Sequence, residues 1–567
     1  MARHLTGIAC VARLICLVAS CVATLSCGRS ADDQPMSVTL ALVNGRIWTG
    51  DPDRPWVDAL ATSGERIVAV GTSEAIELLS GDADVIDLRR RLVLPGFIDT
   101  HTHLLDLGDP ADNLNLSTAR SRRQFVARIR AATADRPDGV WIRGREWDHR
   151  LWDDTLPHRD WIDRVTPRHP VWLLQREGQV GLANSLALEQ AGIAAGMPGA
   201  QMSGESVTGL LTGSALERLE AALPPDHPSA RDSALDRALS EAAVRGVTSV
   251  HHFGDWDDLD VFTRARTEGR LTLRIYAVVP LESWLRLDRA VGVRAFGGAD
   301  GRGDDWLRVG GVHAELDGTL VARSAAFTEP YADAAVESGR LDVDVATLRS
   351  LVIDADGSDL QVMLRAAGDR ANRVALDLHE QLVASRGPRD RRFRVELAQH
   401  LRPTDIARFA SGGVLASMRP FATVHDGRWV DRQIGTERAR TSFPFRALLD
   451  AGARVTFGSG WLDRATPMDG IYAAVTRRTL DGLHPRGWVP EQRITVEEAL
   501  RAYTGSAAYA AFEEGSKGRL TVGRLADLIV VDRDLLSVPA NDIPTVRVVM
   551  TVVGGSIVFD RLRVAES

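Results

Sequence analysis

The chain reads as an α/β protein: a parallel-stranded barrel in the middle and a small β-sandwich domain built from both chain ends. Three observations predict this. Through the middle, short apolar runs of strand length alternate with helix-like stretches, the pattern of parallel strands joined by crossover helices. Residues 36–94 and 510–562 are β-rich at opposite ends. Between them, Arg91-Leu92-Val93-Leu94-Pro95-Gly96-Phe97-Ile98-Asp99-Thr100-His101-Thr102-His103 carries an apolar run into an acid and two histidines. A chain of 567 residues, 44% hydrophobic and 25% charged, can bury a barrel-sized core and a smaller one.

All four cysteines, Cys10, Cys16, Cys21 and Cys27, fall within residues 1–27, in or beside an apolar segment from about Val11 to Leu25. Arg3 and Arg13 lie near its start and Gly28-Arg29-Ser30-Ala31-Asp32-Asp33 follows. This layout predicts a secretory signal over 1–27, short for a membrane span. Val18-Ala19-Ser20-Cys21 and Thr24-Leu25-Ser26-Cys27 both look like bacterial lipoprotein cleavage sites. The expectation is an exported protein, periplasmic or held at the membrane only by a lipid on one of those cysteines. The body then has no cysteine, so neither a disulfide nor a thiolate metal site. A net charge of −8 without a long Lys/Arg block gives no reason to expect nucleic acid.

Val38–Val43, Arg46–Trp48 and Arg66–Gly71 read as strands, with Asn44-Gly45 predicting a hairpin between the first two. Residues 526–531 and 548–558 echo them at the far end. Within the barrel, assigned to 95–509, strand candidates are 171–174, 247–250, 271–275, 308–312, 360–364, 393–395, 414–417 and 455–458. With the opening strand these fill an eight-stranded barrel and leave one over. Ser233 to Arg245 and Ala371 to Ser385 read as helices between them. The Trp- and Arg-rich stretch at about 106–170 reads as an insertion.

In an extended strand alternate side chains share a face, so His101 and His103 point the same way and can grip one divalent ion. Pro95-Gly96-Phe97-Ile98-Asp99-Thr100-His101-Thr102-His103 resembles the metal-binding opening of the amidohydrolase superfamily. The chain further resembles its YtcJ-type branch, the amidohydrolase-3 group. The supporting landmarks are Trp141-Ile142-Arg143-Gly144 with Trp147-Asp148, Pro170-Val171 through Asn184-Ser185-Leu186-Ala187-Leu188, and Gly246-Val247-Thr248-Ser249-Val250. They continue in Asp317-Gly318-Thr319-Leu320, Gly368-Asp369-Arg370-Ala371, Pro467-Met468-Asp469-Gly470 and Gly523-Arg524-Leu525-Ala526-Asp527. The resemblance implies a TIM-like (β/α)8 barrel with a composite β domain. It also implies hydrolysis of non-peptide C–N bonds in small molecules by a metal-activated water. The family's ligands are the HxH pair, a modified lysine, two further histidines and an aspartate in a Gly-Ser-Asp motif.

Here the chain keeps the pair and departs from the rest. His313 stands for the lysine in Gly310-Gly311-Val312-His313-Ala314-Glu315-Leu316-Asp317-Gly318. Arg365 and Leu397 stand for the two histidines, and Gly460 for the aspartate in Gly458-Ser459-Gly460. Gln179 and Arg419 replace further family residues. Imidazole cannot be carbamylated, and leucine and glycine offer no ligand, so the family's two-metal arrangement is not expected.

Three readings follow. In the first, His101, His103 and His313 with water hold one divalent ion, zinc before others, as a reduced hydrolase site; Glu315, Asp317 or His252 is then the candidate base. In the second, the chain is a degenerate relative binding an anionic small molecule, with Arg365 and Arg419 as cationic contacts; Glu177 is a separate candidate substrate contact. In the third, the barrel is only a scaffold, and no motif supports it. Against each residue stands a plain structural role: a backbone-satisfied His313, arginines paired with acids such as Asp369, Glu177 in an ion pair. Trp141, Trp147, Trp152 and Trp161 read as insertion core. Ser249 and Ser459 lack a His/acid partner pattern for a serine hydrolase.

Overall fold

The computed structural model describes residues 37–561, apart from 109–113, 135, 153–154, 177, 179, 225–227, 291–301, 461–464 and 480. The signal segment with its cysteines, Glu177 and Gln179 lie outside the described residues.

Eight parallel strands form the barrel: β1 (Phe97–Thr102), β2 (Val247–Phe253), β3 (Arg274–Pro280), β4 (Leu307–Glu315), β5 (Gln361–Ala366), β6 (Arg394–Leu397), β7 (Leu415–Met418) and β8 (Val455–Phe457). They neighbour one another in chain order. β8 returns toward β1 through Thr100 Oγ1 and Thr456 Oγ1, 3.3 Å apart, and through Gly460 N–H donating to His101 O at 2.8 Å. β1 and β2 are buried along their whole length, as parallel strands covered on both faces must be. Helices Pro228–Val244, Trp256–Thr267, Val345–Gly357, Asp369–Arg386 and Pro403–Gly412 are among those that alternate with the strands.

Two further sheets make the β domain. One runs Arg66–Gly71, Ala59–Ser63, Leu40–Val43, Asp84–Asp87; the other runs Ser556–Asp560, Val548–Val553, Leu528–Val531, Leu92–Pro95, Arg46–Trp48, Trp56–Val57. The ends of the chain meet where Ile529 faces Leu94 and Val530 faces Val93 in antiparallel register. Leu42, Ile47, Val93, Leu528 and Val530 share one apolar core between the sheets. Asn44-Gly45 is not the hairpin its sequence predicts. Leu40–Val43 pairs with Ala59–Ser63 and Asp84–Asp87, whereas Arg46 pairs with Leu92 in the other sheet. The turn, with Asn44 at φ 54°, is a corner passing the chain between layers. A buried bidentate pair, Arg274 with Asp527 at 2.7 and 3.0 Å, ties the base of β3 to this domain.

The surplus strand candidate belongs elsewhere. Val171–Gln175 joins Leu114–Asn115, Ile142–Trp147, Gly181–Ala183, Ser206–Leu211 and Ala200–Ser203 in a separate sheet. The segment inserted after β1 therefore extends well past residue 170. Its apolar run at 171–174 reads like a barrel strand because a core of its own covers it: Trp147, Trp152, Phe125 and Leu173 on one side, Trp172, Leu188 and Leu211 on the other. Trp161 and Trp141 pack at the edges of those cores.

Candidate functional site

His101 projects from the end of β1 and is almost fully buried. Its Nδ1 lies 2.8 Å from Glu396 Oε2 on β6. Its ring stacks on Phe253 at the end of β2, with centroids 4.2 Å apart. His103, one residue past β1, is exposed and sits 5.8 Å from His101, ring to ring. His313 is half-buried near the end of β4, edge-on to Phe253 at 5.4 Å. Its Nε2 is buried and bonds no protein atom among the described residues. Burial, reinforced by Arg419, His103, Arg394 and Arg365, holds the His101 pKa well below that of a free imidazole. Burial lowers His313 to about 4. Both rings are neutral at pH 7.

Beneath the histidines runs a polar network inside the barrel. Arg394, wholly buried, forms an ion pair with Glu396 Oε1 at 2.7 Å and donates to His251 Nδ1 at 2.8 Å, Thr100 O at 2.8 Å and Ser417 Oγ at 3.1 Å. Burial raises the Glu396 pKa, and its carboxylate bridges Arg394 to His101. Asp99 accepts from Ser459 Oγ at 2.5 Å, Ser459 N at 2.9 Å and His101 N at 3.2 Å. Burial nonetheless raises its pKa to about 6. Ser459 is thus a partner of Asp99, and Ser249 accepts from Lys517 Nζ at 2.7 Å.

The remaining sequence candidates divide. β4 and β5 keep regular register from Gly311 to Glu315, placing Glu315 directly opposite Arg365. Arg365 pairs with Glu315 at 3.3 Å and donates to Asp317 O at 2.6 Å. Asp369 is not its partner; that carboxylate accepts from Thr328. Arg365 also holds Glu315 below the usual carboxylate range. Asp317 is spent on structure, accepting Ala326, Ala367 and Gly368 N–H groups, each at 2.8 Å. His252 is likewise committed: its Nδ1 accepts from Leu104 N at 2.9 Å, leaving Nε2 to donate to Asp258 at 3.1 Å. Neither is placed to act as a base.

The positions of the family's other ligands do not fit a metal ion. Among the described residues no group of three His, Cys, Asp or Glu side chains is arranged to hold one. Glu396 engages Nδ1 of His101, and Phe253 packs against both His101 and His313. Leu397 is apolar and nearly buried at φ 71°, with Ala398 at φ 43° turning the chain off β6. Gly460 sits at φ 61° with Arg419 packed over it: a Cβ there would lie 2.7 Å from Arg419 Nη1 and 2.9 Å from Cδ. The arginine fills the space an aspartate side chain would enter.

A cavity of about 750 Å³ lies between the inserted sheet and the loops after β4 and β7. None of His101, His103, His313, Arg365 and Arg419 lines it. Sequence reading did not single out this cavity or the Arg394–Glu396 pair. The pair had a visible signal, since opposite charges two apart on a strand share a face.

These features belong to a recognised class. The family model described as "Amidohydrolase family" (Amidohydro_3) matches residues 84–559, and the chain belongs to that family. It is 34% identical to Protein LONG AFTER FAR-RED 3 of Arabidopsis thaliana, over 91% of each chain. It is 25% identical to the N-substituted formamide deformylase of Arthrobacter pascens, covering 92% of this chain and 98% of that one. A metal-dependent hydrolase from Pyrococcus horikoshii superimposes with TM-score 0.73 at 25% identity, covering 88% of this chain and 99% of that one.

Proposed function

We propose that the barrel mouth of this amidohydrolase-family chain binds a small anionic molecule, with Arg365 and Arg419 as cationic contacts and the three histidines neutral. The observation that carries this reading is Arg419 packed on Gly460, a cation where the family fold places an anionic ligand. Arg419, Arg394 and Arg365 all act on His101. Arg394 is already paired with Glu396 and Arg365 with Glu315. Two unit charges at about 4 Å interact by roughly 4 kcal/mol at an effective dielectric near 20, so a divalent ion beside the Arg419 and Arg365 guanidiniums still meets repulsion. The same groups favour a carboxylate or phosphate.

A second reading, a one-metal hydrolase cutting C–N bonds of a small molecule, is favoured by one observation. His313 Nε2 is buried without a protein partner among the described residues, near two other histidines. It requires those rings to move onto one ion, and the deformylase relative supplies the reaction class by similarity only.

One pair of measurements decides between them: elemental analysis of the purified chain before and after zinc incubation, and calorimetric titration with phosphate and succinate. The anion reading expects no stoichiometric metal, and anion binding that Arg365→Gln/Arg419→Gln abolishes. One zinc per chain, lost in His101→Ala/His103→Ala, would overturn it in favour of the hydrolase.

A further inference from the structure

The cavity under the inserted sheet has a wall whose polar groups are not accounted for within the protein. Gln175 closes the strand Val171–Gln175 and is 2% exposed. Its backbone is satisfied, N–H donating to Val180 O and C=O accepting from Gly178 N, each at 2.8 Å. Its side-chain Oε1 and Nε2 are both buried and bond no protein atom among the described residues. On the facing loop, Trp429 is 4% exposed, and neither its Nε1–H nor Oε1 of Gln433 has a partner among the described residues. Buried polar groups in folded proteins are nearly always paired. Four unmatched atoms on residues that line one cavity of small-molecule size point to a ligand that completes them, with the side chains turning toward it, since none of the four atoms is exposed to the cavity as it stands.

The donor and acceptor pattern selects its chemistry. Gln175 offers a donor and an acceptor side by side. A carboxylate satisfies only the donor, and a secondary trans amide presents its N–H and C=O on opposite edges. A primary carboxamide, a urea or a lactam presents both on one edge and closes a paired ring of two hydrogen bonds. Trp429 adds a donor for a further acceptor. The charges on the wall also select. Arg150 is paired with Asp148 at 2.6 Å and Arg323 with Asp333 at 2.8 Å, whereas Arg432, exposed at the rim, makes no ion pair among the described residues. Arg432 is therefore the lining cation left to meet an anionic group on a ligand.

We infer that this cavity is a binding site, separate from the barrel mouth, for a small carboxamide, urea or lactam that also bears a carboxylate. Gln175 reads the amide edge, Trp429 donates to a second acceptor, and Arg432 attracts the carboxylate. The inference stands on residues that the barrel-mouth reading does not use.

The test is calorimetric titration and thermal shift with three probes, one for each edge: N-carbamoylglycine, succinamate and 5-oxoproline. N-acetylglycine, with only a trans amide, is the control. At least one probe should bind the wild-type chain, about tenfold more tightly than the control, since one hydrogen bond to Gln175 is lost there. Gln175→Leu should lose that binding yet melt no lower than wild type, because it removes two unmatched polar atoms. Gln175→Met, closer in shape, gives the same readout if the leucine variant folds poorly. Trp429→Phe should weaken binding several-fold, and Arg365→Gln/Arg419→Gln should leave it unchanged. Failure of all three probes at millimolar concentration, or equal binding by the Gln175 variants, would mean that water alone satisfies these groups and would overturn the inference.

Discussion

Restoring the family's aspartate by Gly460→Asp puts the packing of the barrel mouth to a direct test. Two costs add. Gly460 lies at φ 61°, where a side chain costs about 1 kcal/mol, toward the lower end for aspartate. The new Cβ would also fall 2.7 Å from Arg419 Nη1 and 2.9 Å from its Cδ. The guanidinium can swing aside, but the Cδ contact moves the stem, and overpacking of this kind costs about 1–3 kcal/mol. The expected loss is about 2–4 kcal/mol, read as a lower denaturation midpoint at unchanged slope. Gly460→Ala should incur most of the same loss, since Cβ is the offending atom. Adding Arg419→Ala to Gly460→Asp should return the overpacking share and leave the backbone share. A Gly460→Asp chain within about 0.5 kcal/mol of wild type, or no recovery on removing Arg419, would refute the claim that this arginine occupies the aspartate's space.

Other outcomes follow from the buried groups. Glu396→Leu leaves the wholly buried Arg394 without its carboxylate and should cost about 3–5 kcal/mol in urea unfolding, while Arg394→Met/Glu396→Leu should lie much closer to wild type. His400, 2.7 Å from Ser442 Oγ and buried, has its pKa lowered to about 3 by burial. The unfolded ring, near 6.5, takes up its proton first, so stability is full above pH 6.5 and is lost as pH falls toward 3. By pH 5 this group alone has removed about 2 kcal/mol. His400→Phe should make the acid limb of a melting-temperature profile shallower by that amount. Gly181→Ala would set a Cβ 1.8 Å from the buried ring of Trp172; limited proteolysis should then cut the inserted sheet ahead of the barrel.

Much of the barrel was legible because parallel strands are apolar throughout and separated by helical periodicity, so seven of the eight apolar runs that follow the opening strand became β2 to β8. The eighth, 171–174, failed for a physical reason: a strand buried by its own small core has the same composition as one buried in a barrel. Asn44-Gly45 failed because turn chemistry fixes a local backbone shape but not which sheet receives the next strand. At the site, the losses at Leu397 and Gly460 could be read directly, but not that Arg419 would lie on Gly460. Nor could the sequence say that His252 and Asp317 would be consumed by backbone and side-chain partners, since those come from residues distant in the chain or in other loops. Gln175 was invisible for the opposite reason, being notable only for partners it lacks.

The sheet in which Leu92–Pro95 lies beside Leu528–Val531 also sets an order of events during synthesis. Residues 92–95 leave the ribosome with Arg46–Trp48 already made on one side but more than 400 positions before Leu528–Val531 exists on the other, and β1 begins after one intervening residue. Until the last part of the chain emerges, that early strand has an open, apolar edge of the kind that invites mispairing. Its contacts are among the most distant in sequence that the molecule makes, and such contacts form slowly. A chain released short of residue 528 would carry every barrel strand and still have nothing to cover that edge, so the C-terminal strands act as the final check on whether a complete molecule has been made.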